Sequence, residues 1–529
     1  MSGAAADVVL PVHGVGEPRP PFATLCAMFR HAVATASDTV SLRHGRRVVT
    51  YREEGRAASA LARRLAAVAA PGEPVALLLP NSIEFRVAFF AALEALAAPA
   101  LLNPLYPGPQ LEPLLRDAAP CAIICAPATR SLVLGLAETL GIPHVLCLGH
   151  DVAVEALCAE PEAPPDRREA VPDDVAALPF SGGTTGLPKA VEHTHARLVT
   201  AVRCVEYNWP TRTEGEVWLP VAPFTHIYGF LQGALAPVFA RAEAVIPERF
   251  QPERIVELMA AHRVTVFGGG PPAVYAGVLA APNLAAADLS ALRVCPSGGA
   301  PMPRELHERW RRATGREVHE GYGMTEMAPI SGTTALTGVR PGSIGKAIPC
   351  NEIQVVDLET GTRVLPPGER GEVRVRGPHM MAGYRGRPEE TALTVRQGFI
   401  HTGDIGHLDA DGFLFITDRR KDVVLVKGFN VFPREVEEAI HAHPQVSAVG
   451  VVGVPDPRSG GERLVAWVVP RVGGDPPTEA GIAAHLAARL VAYQCPEDIR
   501  FVDALPMTGA QKLDRMALRR LARDTPAEG

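Results

Sequence analysis

What most constrains the fold of this 529-residue chain is the alternation of short apolar runs with helical patterns over its first 330 or so residues. Pro74–Leu79 is an apolar run that stops at Pro80. Asn81-Ser-Ile-Glu84 then reads as a capping box ahead of a helix over Phe85–Ala97, and Pro99–Leu102 resumes as an apolar run. Two strands joined by a helix make a βαβ unit, which implies a parallel sheet. The pattern recurs at Cys121–Cys125, a helix over Ser131–Leu140, and His144–Leu148, and again at Ile255–Ala261 followed by Val264–Phe267. This part of the chain is expected to be α/β and doubly wound.

Between Pro341 and about Arg419 the texture changes to short β-type runs (Glu352–Asp357, Gly371–Arg376, Phe413–Thr417) separated by Gly/Pro turns, which predicts a smaller β-rich subdomain. From Lys421 a third texture begins: a helix over Arg434–Ala442, strands over Val446–Val452 and Arg463–Pro470, and a helix over Thr478–Leu490. That spacing suits a small α+β module. The acidic, Pro-rich Glu160–Asp174 reads as a surface connection.

Composition narrows the function. Net charge is −6, whereas a chain that grips nucleic acid by releasing counterions is normally basic, so no nucleic-acid partner is expected. The nine cysteines are odd in number and scattered, which is no disulfide framework. The close pair Cys121 and Cys125 lies in an apolar run without a His or further Cys cluster, and reads as strand thiols rather than metal ligands. The N-terminal Met1–Asp7 lacks a basic region and an apolar core, so no signal peptide is expected. The longest apolar stretch, Phe85–Leu102, is interrupted by Arg86, Glu94 and Pro99, which argues against a membrane span. A cytoplasmic protein, monomeric or homodimeric, is expected.

The most informative segment is Phe180-Ser-Gly-Gly-Thr-Thr-Gly-Leu-Pro-Lys189, directly after the apolar run Val175–Phe180. Gly182, Gly183 and Gly186 let backbone N–H groups approach an anion without a Cβ in the way. Ser181, Thr184 and Thr185 add hydroxyl donors, and Lys189 adds positive charge. Three glycines alone would suit an ordinary turn; three hydroxyls and a lysine beside them suit a phosphate cradle. It is not a Walker loop, which needs Gly-Lys-Ser/Thr adjacent and opening a helix; here Leu187 and Pro188 separate Gly186 from Lys189. No Gly-x-Gly-x-x-Gly follows the first strand, which weakens a dinucleotide-binding reading.

Downstream stand Ser297-Gly-Gly-Ala-Pro301, Gly321-Tyr-Gly-Met-Thr-Glu326, His401-Thr-Gly-Asp404, Asp418-Arg-Arg-Lys-Asp422, Lys427-Gly-Phe-Asn430 and Leu505-Pro-Met-Thr-Gly-Ala-Gln-Lys512. In this order and spacing the set resembles the adenylate-forming superfamily: acyl- and aryl-CoA synthetases, peptide-synthetase adenylation domains and luciferases. The resemblance runs from about Val40 to Leu521, and Lys427–Glu435 with Pro223-Phe-Thr-His-Ile-Tyr-Gly229 looks closest to the CoA ligases. It implies an α/β fold with a large N-terminal AMP-binding domain, residues 1–420, built of doubly wound subdomains plus the β-rich subdomain at about 341–419. It also implies a small mobile α+β C-terminal domain, residues 421–529, that carries a catalytic lysine.

The resemblance implies a two-step reaction. A carboxylic acid, aryl or medium-chain or branched acyl, attacks the α-phosphate of ATP to give acyl-AMP and pyrophosphate; the thiol of CoA then takes the acyl group and releases AMP. Both first reactants are anions, so cations and donors must offset their repulsion. By the family pattern Thr184, Thr185 and Lys189 hold the β- and γ-phosphates and Glu326 holds Mg²⁺. Tyr322 stacks on adenine, with Ala300 and Pro301 lining its other side; Gly299, Glu320, Gly321, Gly323, Met324 and Thr325 complete the nucleotide site. Asp404 accepts from the ribose hydroxyls, Arg419 supports ribose or phosphate, and Lys512 bridges carboxylate and α-phosphate. His226, Gly298, Gly299, Gly323 and Met324 line the acyl pocket. Lys421 is the hinge, and Lys427, Gly428, Phe429 and Asn430 shape the thiol channel. Each has a plainer reading: Asp404 as a turn residue, His226 as a core histidine, Tyr322 as packing, Lys512 as a solvated surface lysine.

Two positions depart from the pattern. Ala190 stands where a Gly usually follows the loop lysine, and Gln511 where Gly usually precedes the catalytic one. Gln511 bears on the second half-reaction more than on the first, so a carrier-protein thiol or an amine stands as an alternative acceptor. Further rivals are a non-catalytic nucleotide-binding protein and an oxidising, luciferase-type enzyme.

Overall fold

In the computed structural model of the chain, residues 22–181, 188–212, 215–426, 429–456, 461–471, 476–507 and 513–524 are described. The chain forms two compact units, residues 1–353 with 375–400, and residues 354–374 with 401–529.

The larger unit contains a seven-stranded sheet in the spatial order Gly383–Tyr384, Val191–Thr194, Val175–Pro179, Ala98–Leu101, Pro74–Leu78, Ala122–Cys125, His144–Cys147. The last five run parallel, as the βαβ reading requires; Val191–Thr194 is antiparallel to them, and Gly383–Tyr384 pairs antiparallel to it at the edge. Pro74–Leu78 is buried at every residue, which is why it reads as an unbroken apolar run rather than an alternation. A second sheet runs Val266–Gly268, Val217–Pro220, Glu243–Ile246, Val40–His44, Arg47–Thr50, parallel except for the hairpin between the last two. A third runs Pro296–Gly298, His319–Met324, Met327–Gly332, Lys346–Ala347, with its first pair parallel.

The helix after Pro80 begins two residues before the expected Phe85, at Ile83, and ends at Glu94. Its cap is Ser82, whose Oγ accepts the Phe85 N–H at 3.2 Å. Asn81 is instead spent on a tertiary contact: its Nδ2 donates to Ala222 O at 2.9 Å and its Oδ1 accepts the Phe224 N–H at 2.7 Å. Ten of the twelve helical residues are buried, Arg86 among them. The charges that interrupt this apolar stretch are each paired. Arg86 donates through Nε to Glu54 Oε1 at 2.9 Å and through Nη2 to Glu54 Oε2 and Ser41 Oγ, both at 2.6 Å. Arg30 closes on Glu94 with Nε to Oε1 at 3.0 Å. No helix among the described residues is long and apolar enough to cross a membrane.

The β-rich region forms one five-stranded sheet in the order Glu352–Val356, Gly371–Arg376, Phe399–Leu408, with Val395–Arg396 and Leu414–Arg419 both on Phe399–Leu408. The C-terminal α+β part pairs Val446–Pro455 antiparallel to Glu462–Pro470, which runs parallel to Asp498–Phe501. Helices Pro433–His441, Glu479–Ala487 and Arg515–Asp524 accompany it, and Val436, Ile440, Leu464, Ile482 and Leu486 form its core. Cys125 is buried and Cys121 half-buried, both on or beside a strand of the seven-stranded sheet. Burial raises the Cys125 thiol to about 12 and the Cys121 thiol to about 11, so both are protonated near neutrality.

This packing sets the stability of the larger unit in two testable ways. Arg86 and Glu54 are both fully buried, with side-chain exposure of 0%/0%. Removing one charge strands the other, so Glu54→Gln is expected to cost about 3–5 kcal/mol in urea unfolding, and Glu54→Met with Arg86→Met to recover much of that loss. His193 and His195 are buried and held down to about 4 from 6.5, with desolvation the first cause in each. The unfolded chain therefore binds more protons between these values, and stability falls as pH drops from 6.5 towards 4. Each tenfold change in proton affinity is worth about 1.4 kcal/mol, so the two histidines together withdraw several kcal/mol. A thermal-melt series against pH reads the loss, and His193→Gln should flatten its slope.

Candidate active site

Strand ends converge in the larger unit. Gly268 lies level with Pro220 on the neighbouring parallel strand, and Gly298 level with Gly321. A parallel bridge joins Gly270 to Ser297, whose Oγ donates to Gly270 O at 2.9 Å. The loops that leave these C-terminal ends carry His226, Gly269–Pro271 and Gly299–Pro301, while Tyr322–Met324 end the strand His319–Met324 and Thr325–Glu326 form the turn after it. Ligands of open α/β sheets sit beyond the carboxyl ends of the strands. Gly299 has φ +83°, a conformation that favours glycine. A Cβ on Gly298 would sit 2.9 Å from the Tyr228 ring, so the glycine is what lets that ring lie against the strand.

The phosphate-loop neck and the candidate metal carboxylate meet on one tyrosine. The Ser181 N–H donates to Lys189 O at 2.9 Å and the Lys189 N–H to Ser181 Oγ at 3.3 Å, so both ends of the loop are fastened where Val175–Pro179 and Val191–Thr194 pair. Lys189 Nζ lies 4.8 Å over the Tyr384 ring and forms an ion pair with Glu390. The Tyr384 hydroxyl donates to Glu326 Oε1 at 2.6 Å. Burial, with that carboxylate beside it, pushes the Tyr384 phenol up, so it keeps its proton and donates. Lys189, then Arg387, holds the Glu390 carboxyl below its ordinary range.

Glu326 is buried in the tight turn between Met324 and Met327, which pair across the hairpin. Two contacts hold the turn: the Met381 N–H donates to Glu326 O at 2.7 Å, and His193 Nε2 donates to Thr325 O at 2.7 Å. Glu320, six residues earlier, has both carboxylate oxygens engaged within the fold. Oε2 accepts the Met302 N–H at 3.0 Å and Oε1 lies 2.9 Å from His307 Nε2. It braces the Gly299–Met302 loop from beneath. His226 caps the short helix Ile227–Gly229, its Nδ1 accepting the Tyr228 N–H at 3.3 Å. Tyr228 donates its hydroxyl to Pro296 O at 2.9 Å. Tyr322 and Met324 are half-buried and Gly323 is exposed.

In the smaller unit Asp404 and Arg419 stand opposite each other on adjacent strands, with Arg419 Nε to Asp404 Oδ1 at 2.9 Å. The Asp404 N–H donates to Thr402 Oγ1 at 3.0 Å. Next to Arg419, Asp418 is buried and its carboxyl is raised to about 6 by desolvation, although the Arg434 and Arg419 N–H groups donate to it. Lys421 stands on the single turn Arg420–Asp422, where desolvation and the neighbouring arginines Arg419, Arg519 and Arg515 lower its pKa. Asp422 beside it accepts from Arg519 at 2.9 Å. Phe429 is exposed and stacks on Tyr493 at 4.5 Å. Gly182, Gly183, Thr184, Thr185, Gly186, Lys427, Gly428, Gln511 and Lys512, with the Asn430 side chain, lie outside the described residues.

Sequence reasoning passes over Tyr384, Glu390, His193 and Tyr228. Tyr384 is 58 residues from its partner Glu326, and no local pattern joins them. Tyr228 lies within the Pro223–Gly229 motif, but its ring position depends on Gly298, far downstream in the sequence.

The AMP-binding enzyme family matches residues 29–385, and the AMP-binding enzyme C-terminal domain matches residues 435–512. The chain is 32% identical to a long-chain-fatty-acid–CoA ligase of Bacillus subtilis, over 84% of this chain and 85% of that protein. It is 35% identical to a feruloyl-CoA synthase of Amycolatopsis sp, over 91% and 95%. The crystal structure of ATP-bound MatB from Rhodopseudomonas palustris superposes with a TM-score of 0.87 at 30% identity, covering 95% of this chain and 99% of that one. Matches of this extent, carried by both parts of the chain, make it a member of the AMP-binding enzyme family, the adenylate-forming enzymes that its collinear motifs resemble.

Proposed function

We propose that this enzyme activates a carboxylic acid, aryl or medium-chain or branched acyl, with ATP, and passes the acyl group from acyl-AMP to the thiol of CoA. The observation that carries the reading is the Lys189–Tyr384–Glu326 constellation, a cation and a carboxylate held on one buried phenol beside the phosphate-loop neck. The activities of the two relatives, a fatty-acyl and a feruloyl ligase, support a monocarboxylic acid and CoA as substrates.

Glu326 is suited to hold Mg²⁺. It is a hard oxygen donor in a tight turn, steadied by the neutral Tyr384 hydroxyl, and Mg²⁺ is usually bound by one or two carboxylates together with substrate phosphates. Bound there, Mg²⁺ would supply charge neutralisation on the phosphates. Lys189 serves the β- and γ-phosphates with Thr184 and Thr185, and to reach them it exchanges Glu390 for a phosphate oxygen. Ala300 and Pro301 flank the adenine opposite Tyr322. Asp404 takes the ribose hydroxyls, with Arg419 holding its carboxylate. His226, Gly298, Gly299, Gly323 and Met324 bound the acyl group, and Tyr228 narrows the space beside Gly298.

Residues 1–420 act as the adenylation domain and 421–529 as the mobile one. Lys512 delivers its ammonium to the carboxylate and α-phosphate in the first half-reaction. A turn about Lys421 then exchanges it for Lys427, Gly428, Phe429 and Asn430, which form the thiol channel, so that one pocket runs two steps.

The deciding experiment is a pyrophosphate-release screen over aryl, medium-chain and branched acids, followed by product analysis with CoA, a pantetheinylated carrier protein and simple amines. Acyl-CoA and AMP from one acid class are expected. Amide or carrier-bound product would assign the other acceptor, and no AMP from any acid would overturn the reading. A charge at about 4 Å in an effective dielectric near 20 is worth about 4 kcal/mol, so Lys512→Ala should slow pyrophosphate exchange roughly a thousandfold. The variant should still convert supplied acyl-AMP with CoA; equal loss in both assays sinks the role of Lys512. Tyr384→Phe should raise the Mg²⁺ concentration for half-maximal rate about tenfold, the scale of losing an outer-shell hydrogen bond.

A further inference from the structure

Three residues far apart in the sequence bring soft donor atoms together inside the larger unit. Cys204 lies on the helix His195–Asn208, Cys350 in the turn before Glu352–Val356, and His379 in the turn after Gly371–Arg376. Cys204 Sγ is 3.4 Å from Cys350 Sγ and 3.9 Å from His379 Nδ1, and the three donor atoms all lie within 4.8 Å of one another. Cys204 and His379 are buried and Cys350 half-buried. We propose that Cys204, Cys350 and His379 form a zinc site, distinct in chemistry and place from the carboxylate at Glu326.

Tetrahedral bonds of about 2.3 Å to sulfur and about 2.0–2.1 Å to nitrogen put two sulfurs about 3.8 Å apart and a sulfur and nitrogen about 3.6 Å apart. The observed separations, 3.4 and 3.9 Å, each differ from these by only a few tenths of an ångström. The imidazole is turned the right way. His379 Nε2 lies 2.8 Å from the Pro329 carbonyl, to which it donates, so the lone pair is on Nδ1, the nitrogen that faces the sulfur. A ligating histidine characteristically gives its other N–H to a carbonyl or carboxylate in this way. Asn351 steadies the second ligand: its Nδ2 donates to Ile330 O at 2.8 Å and to Pro329 O at 3.2 Å, and the Cys350 thiol points to its Oδ1 at 3.4 Å.

The charges balance. Zn²⁺ displaces one proton from each thiol, releasing two protons, and with two thiolates and a neutral imidazole the site carries no net charge. That removes the main cost of burying an ion. Three protein donors leave the fourth tetrahedral position to a water. The consequence is a tether. Two residues after His379, the Met381 N–H holds Glu326 O, and Tyr384 follows with its hydroxyl on the Glu326 carboxylate. Metal at the cluster ties the helix carrying Cys204 to the segment that positions Glu326.

The test uses the full chain, stripped with chelator under reducing, oxygen-free conditions and titrated with Co²⁺ as a coloured stand-in. The expected result is a thiolate-to-cobalt charge-transfer band with tetrahedral d–d absorption, saturating at one equivalent, displaced by Zn²⁺, and accompanied by a higher Tm with Zn²⁺ than with chelator. Cys350→Ser and His379→Gln should each weaken the cobalt affinity at least tenfold while melting cooperatively. A missing band with Tm indifferent to Zn²⁺ overturns the proposal, as does a band of undiminished affinity in both variants. Should the stripped chain show no cobalt band but lose the two thiols together on adding hydrogen peroxide, the cluster is a disulfide pair and the zinc site is refuted.

Discussion

The site is organised around the need to hold a cation and a carboxylate close together before either meets substrate. Tyr384 joins the two, its hydroxyl on Glu326 and its ring under the Lys189 ammonium, while Lys189 takes a counter-charge from Glu390. Because the Tyr384 phenol is pushed up by burial, it keeps its proton and remains a neutral donor to the Glu326 carboxyl group. Opposite charges held on one neutral phenol suit the roles proposed for them above, Lys189 toward phosphate and Glu326 toward Mg²⁺.

That spacing is supported by elements behind it. Tyr384 is in register with Val191, two residues after Lys189, so the phenol is held to the strand that follows that lysine. Glu326 sits at the turn of a hairpin held by His193 and Met381, and Glu320 braces the neighbouring glycine loop through Met302 and His307. The Glu320 carboxylate is thereby committed to the fold and supports the site from behind. The buried Arg86–Glu54–Ser41 cluster plays a comparable part elsewhere in the larger unit, tying the mostly apolar helix Ile83–Glu94 to Glu54 and to Ser41 on the strand Val40–His44.

Much of this was legible locally, because periodicity and turn chemistry act over a few residues. The run Pro74–Leu78 and the parallel strands beside it follow from apolar continuity. The glycine-and-hydroxyl loop announces an anion by residue type. Where the local pattern misled, a distant partner had outbid it: Asn81 looks like a cap, yet its amide is taken by Ala222 and Phe224, and Ser82 does the capping. Arg86 reads as an interruption of a hydrophobic stretch, and its meaning becomes plain only with Glu54, 32 residues earlier.

The sequence by itself determined the fold class, the family, and which residue types could carry the chemistry, since each rests on spacing along the chain. Tertiary structure alone decided which of them share a surface. Tyr384 reaches Glu326 because its strand lies beside the hairpin that turns at Glu326, and Cys204, Cys350 and His379 meet only where a helix crosses two turns well separated in sequence. Such juxtapositions come from packing between elements, and no period of 2 or 3.6 residues encodes them.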